Sequence, residues 1–211
     1  MTAFEDLLDP QNRAIFQSLD SPAAIQAYLD SIPYMGEDLN RTPVRVMQDR
    51  QCHCLDGGIL AALALRRLGF PPLLVDLTPE PDADDDHVLA VFKINGHWGA
   101  VAKSNYPGLR LREPIHRTLR ELAMTYFEPF FNMQRVRTLR GYTRPFNLAQ
   151  FDRIRWMDNQ AGNDLVVERF YARPFTPLIT PTQVQALTLL DERAFQANLY
   201  GVNLNETFKA H

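Results

Sequence analysis

Cys54 opens the segment Cys54-Leu55-Asp56-Gly57-Gly58, an apolar run from Ile59 to Leu65 follows, and Arg66-Arg67-Leu68-Gly69-Phe70-Pro71 closes it. The pattern predicts a helix over residues 55–68, stopped by Gly69 and Pro71. A thiolate is the reactive form of cysteine, and the positive end of a helix dipole stabilises it. Cys54 has that placement. Further on, His87 opens an alternating stretch that puts an imidazole on a strand. The two side chains are the types that a thiol nucleophile and its base require. Asp56, in the same first turn, works against a thiolate, and Gly57 and Gly58 each cost a helix about 1 kcal/mol relative to alanine. Tandem glycines make sense where the sheet beneath or a substrate above must approach closely. The competing reading is a buried structural cysteine on a tightly packed helix.

His87 to Ile94, the pair Asn95-Gly96, and His97 to Lys103 form the clearest hairpin in the chain. A two-residue turn there makes Ile94 face His97, Phe92 face Gly99 and His87 face Ser104. Directly opposed side chains lie about 5 Å apart on one face. Ala100, Ala102 and Ser104 therefore share the His87 face, and only Ser104 is polar. Ser104, or Asn105 just beyond it, is the expected group to orient the imidazole. His97 lies at the turn and is expected in solvent.

The elements that must hold these residues are short. Helices are expected at 4–8, 14–19 and 23–32, the last with Ser21 as cap and Pro22 in its first turn. A polar irregular loop at 34–51 leads to the cysteine. Residues 73–77 predict a buried strand, 79–86 an acidic proline-rich surface loop, and 119–131 a helix. Beyond 146, a strand-like stretch at 165–172 precedes a helix near 182–197. The expectation is a single α+β domain over 1–211, with a core near 40–145. A helical extension at 1–39 and a mixed one at 146–211 pack on it.

The 211 residues suffice for one full core, and 45% apolar with 22% charged residues is ordinary for a soluble protein. A net charge of -3 offers no long-range attraction to nucleic acid or an anionic membrane. The longest apolar run, Ile59 to Leu65, is too short to span a bilayer. The acidic start Met1-Thr2-Ala3-Phe4-Glu5-Asp6 has no signal-peptide pattern. Cys52 and Cys54 stand too close to staple a fold, and a reduced, cytoplasmic setting is expected.

Cys54, Arg66, Gly69 and Pro71, followed by Asp86-His87-Val88, Asn95-Gly96 and Trp98, resemble the transglutaminase-like superfamily over about ninety residues. The continuation Leu109-Arg110-Leu111-Arg112-Glu113-Pro114 is similar to bacterial transglutaminase-like proteins of unassigned function. The resemblance implies a papain-like fold, a helix carrying Cys packed on an antiparallel sheet carrying His, with Cys54 as nucleophile and His87 as base. It also implies an aspartate four residues after Trp98, where this chain has Ala102. Ser104, Asn105 or Asp76 would then orient His87, or packing alone would hold it. Gln48, six residues before Cys54, has the spacing of a papain-like oxyanion-hole glutamine, against the plainer reading of a solvated loop residue. The backbone N–H of Cys54 is the more general oxyanion donor.

Other patterns carry less. Cys52-His53-Cys54 invites zinc, but two thiols one residue apart need ligands from elsewhere. The arginines at 110, 112, 117, 120, 135, 137, 140 and 144 are either paired surface groups or forks for an anionic substrate. Met124, Tyr126, Phe127, Phe130, Phe131 and Met133 fit a core, and no cofactor or metal is expected. The sequence thus leads to a thiol-dependent acyl-transfer enzyme acting on an amide- or thioester-bearing peptide, protein or small molecule. The alternative is a catalytically weak or inactive binding or scaffold protein on the same fold.

Overall fold

Proline and small polar caps start the early helices. α1 (Pro10–Gln17), α2 (Pro22–Ser31) and α3 (Pro43–Asp49) each carry proline in the first turn, and the preceding Asp9, Ser21 and Thr42 accept backbone N–H bonds through their side chains. α4 (Cys54–Arg67) is different: His53 stands at its N-cap without a side-chain cap bond. Every residue of α4 from Cys54 to Leu65 is buried. Gly69, at φ 91°, ends it as predicted, with Phe70 N–H donating to Leu65 O. These are features of a computed structural model that describes residues 4–37 and 39–208.

Among the described residues, seven strands form one open antiparallel sheet: β1 (Leu73–Pro79), β2 (His87–Ile94), β3 (His97–Val101), β4 (Arg112–His116), β5 (Leu139–Thr143), β6 (Phe146–Asn147) and β7 (Phe175–Pro177). Their order is β4-β3-β2-β1-β5-β7, with β6 also pairing β1. The predicted hairpin register is present, Ile94 opposite His97 and Phe92 opposite Gly99. Asn95 and Gly96 take φ 50° and 81°, as a type I′ turn requires. Pairing ends at Ala90 and Val101, so the expected His87–Ser104 pair does not form, and His87 pairs with Leu77 of β1 instead.

The sheet separates two apolar layers. Val88, Ala90 and Phe92 pack with Leu55, Ile59 and the rest of α4, together with Phe16 and Leu29. Leu89, Val91, Ala100 and Ala102 pack on the other side with Tyr126, Leu139 and Leu122 of α5 (Leu119–Met124). The tandem glycines serve the first layer. A Cβ on Gly57 would lie 2.4 Å from Lys103 Cβ, and one on Gly58 3.0 Å from Val88 Cγ1. Their close approach is to the sheet, not to a substrate.

Several expectations change. The loop at 34–51 contains α3, and the helix expected over 119–131 ends at Met124. Residues 165–172, expected as strand, belong to α6 (Gln160–Tyr171). Its buried Asn163, Val166, Val167 and Phe170 recur at helical spacing, which outweighs the β-branched pair. The late helix divides into α7 (Pro181–Gln185) and α8 (Glu192–Asn198). The segment beyond 146 supplies β6 and β7 to the sheet, and Val166 and Phe170 to the α4 layer, so the core extends past 145. Among the described residues, eight α-helices and this sheet make an α+β fold, and no helix is long and apolar enough to cross a membrane.

Candidate active site

The first residue of α4 carries the thiol against the start of β2. Cys54 Sγ–H donates to the Asp86 carbonyl at 3.7 Å, and the Val88 amide points back at the sulfur. Burial pushes the thiol well above its usual range, and the carboxylates of Asp86, Asp76 and Asp85 add to the shift. The Val88 amide opposes this without reversing it. A neutral thiol results. It borders a cleft of about 250 Å³ lined also by Tyr34, His53, Asp85, Asp86 and Tyr171. Asp56 holds the approach loop rather than the thiol: its Oδ1 accepts from Arg41 N at 3.0 Å, and its Oδ2 lies 3.4 Å from His53 Nε2. Burial raises Asp56 to about 7.

His87 looks the other way. Its ring shares the layer of Leu89 and Val91, 6.2 Å from the Tyr126 ring, and Nε2–H donates to the Leu109 carbonyl at 2.7 Å. Burial pushes the imidazole down to about 4; the Leu109 carbonyl opposes the shift and Arg112 adds to it. The expected Cys54–His87 contact is therefore absent. The backbone flanking His87 touches the sulfur, but alternation along β2 sends Val88 toward α4 and the imidazole to the opposite face.

The residues expected to support the pair have other partners. Ser104 Oγ accepts from Tyr106 N at 3.0 Å, so it does not orient His87; the Leu109 carbonyl does. Asn105 bonds residues 203 and 206 of the C-terminal segment. Gln48 is exposed on α3 and is not part of the lining of the cleft at Cys54. Ala102 keeps the face derived for it, and its backbone is clasped by the Gln26 carboxamide, which donates to Ala102 O and accepts from Ala102 N. Six of these arginines are engaged within the fold: Arg137 with Glu128, Arg140 with Glu80, Arg135 with Glu192, Arg110 with Asp30, Arg120 with the Leu178 carbonyl, and Arg112 stacked 4.0 Å over Tyr126. Among the described residues, no group of three or more His, Cys, Asp or Glu is placed to hold a metal ion.

Sequence reasoning missed a carboxyl pair. Asp76 on β1 faces the α4 side of the sheet beside Asp86, whose Oδ2 accepts from Tyr171 O–H at 3.0 Å. Thr78 O–H donates to Asp76 Oδ2 at 3.3 Å, and Asp76 N–H donates to Thr143 Oγ1 at 2.9 Å. Burial, then the neighbouring carboxylate, raises Asp76 far above the ordinary range. A lone charge in the apolar run Leu73 to Leu77 was the available clue; Tyr171, far along the chain, offered none.

The proton on Asp76 sets a pH dependence. An unfolded aspartate titrates near 3.9, so the folded chain keeps a proton that the unfolded chain releases. Stability from this group is fully present below about pH 4 and is lost as pH rises toward the raised folded value. Asp76→Asn keeps the size of the protonated carboxyl without proton uptake. The variant is expected to exceed wild type by about 1–2 kcal/mol at pH 8 and to match it near pH 4. Urea midpoints at both pH values check this; an equal deficit at both would show that Asp76 takes up no proton on folding.

A scan against protein-family models finds no match for the chain, and no curated protein matches it significantly.

Proposed function

We propose that the chain is a transglutaminase-like protein on a papain-like core, and that it uses its cleft to bind rather than to transfer acyl groups. A cysteine at the start of a buried helix, packed on an antiparallel sheet whose neighbouring strand begins with histidine, supports the fold assignment. One observation carries the function: the thiol and the imidazole lie on opposite faces of β2, each bonded to a different backbone carbonyl. With His87 turned to the other face, the protonated thiol lacks the base expected to activate it. Two free cysteines fit a reduced, cytoplasmic setting.

A second reading has one observation in its favour. The Val88 amide directed at Cys54 Sγ, at a helix start bordering an open cleft, is suited to a sulfur anion. On that reading Cys54 attacks an amide or thioester carbonyl, and His87 must first leave the Leu109 carbonyl.

Incubation with an activated thioester followed by mass spectrometry separates the two. The binding reading expects no acyl adduct on the intact chain. An adduct that disappears in Cys54→Ala would establish acyl transfer and overturn it.

A further inference from the structure

The chain beyond α8 returns to the cavity that holds His87. Glu206 and Phe208 line that cavity together with Tyr34, Asn105, Phe130 and Phe131. Only about 40 Å³ of free volume remains there, room for little more than water.

The contacts of this strap are those of a bound peptide. Asn105 reads its backbone from both ends of the carboxamide: Nδ2 donates to Asn203 O at 2.9 Å and Glu206 O at 3.1 Å, while Oδ1 accepts from Asn203 N at 2.9 Å. Asn105 itself is buried. Opposite it, Gly36 N–H donates to Glu206 Oε2 at 2.6 Å. A Cβ on Gly36 would come within 3.3 Å of that oxygen, so the bare glycine suits the approach.

The strap is weakly anchored elsewhere. Tyr200 is 86% exposed and Leu204 57% exposed, so neither buries an apolar side chain against the body. Hydrogen bonds to Asn105 and Gly36, together with the aromatic ring, hold the segment, and all of these can be exchanged for those of another peptide.

We propose that residues 203–208 are a displaceable intramolecular ligand, and that the Asn105 groove accepts an external peptide of the same chemistry. Such a peptide presents a turn offering two carbonyls and an amide, an acceptor side chain, and an aromatic residue two positions beyond it. The proposal goes beyond the binding reading, because the Asn105 groove is a second cavity that shares only Tyr34, Asp85 and Asp86 with the Cys54 cleft. In the resting chain the tethered strap competes at an effective concentration of about millimolar.

The probe is the blocked, fluorescently labelled peptide Asn-Leu-Asn-Glu-Thr-Phe, titrated by anisotropy into the 211-residue chain. Glu206→Ala with Phe208→Ala is expected to bind it at least about tenfold more tightly than wild type, because the competing strap is loosened. Adding Asn105→Ala to that background is expected to abolish binding. Should that triple variant fail to fold, replacing the peptide's phenylalanine by alanine provides the matching control. Equal affinity for wild type and the double variant, or no binding to a double variant that melts like wild type, would overturn the proposal. An acyl adduct at Cys54 would overturn the binding reading alone, so the two failures remain distinct.

Discussion

Lys103→Met is expected to lower the stability of the chain by about 3 kcal/mol. Lys103 is buried just past β3, and its ammonium donates to the Leu29 carbonyl at 2.7 Å and to the Ile32 carbonyl, both at the C-terminal end of α2. A cation there also meets the negative end of the helix dipole. Methionine keeps the length of the stem and removes the three donors. Each buried carbonyl left without a partner costs about 1–3 kcal/mol. Relief from holding a buried charge offsets part of this, since burial already pushes the lysine down. For a chain of this size the thermal midpoint is expected to fall by about 6–12 °C. Urea unfolding measures the change, and a difference below about 0.5 kcal/mol would show that the ammonium does not hold α2.

This lysine also accounts for Gly57. Its Cβ occupies the space where a side chain at 57 would begin, so the first turn of α4 lies directly on the strand end. Of the two close approaches that the tandem glycines left open, sheet or substrate, the one at 57 is the sheet's, made by a structural cation.

Local pattern made much of the molecule legible in the sequence. The α4 boundaries followed from an apolar run ended by glycine and proline, and the hairpin register from Asn95-Gly96. The face of His87 was also derivable, because Ala100 and Ala102 do share its layer. Alternation along a strand sorts residues into two faces, but it does not say which face a helix covers. α4 covers the Val88 face, and that choice separates the thiol from the imidazole. The distant partners were equally invisible: Leu109 offers His87 a backbone carbonyl, and Tyr171 reaches Asp86 from a helix expected as strand.

The separation has its own pH signature. His87 is held neutral by burial, with a folded value of about 4 against about 6.5 unfolded. Stability from this group is therefore present above about pH 6.5 and is lost as pH falls through about 4, opposite in sign to the Asp76 effect. An imidazole paired with a thiolate would be charged instead, and its value would be raised.

Alkylation of Cys54 by iodoacetamide tests the central claim most directly, followed against pH in wild type and His87→Ala and resolved from Cys52 by fragment-ion mass spectrometry. The account predicts slow modification that rises only in alkaline solution, above the ordinary thiol range, with the same profile in both proteins. Rapid alkylation with a thiolate titrating below pH 8, lost in His87→Ala, would contradict it.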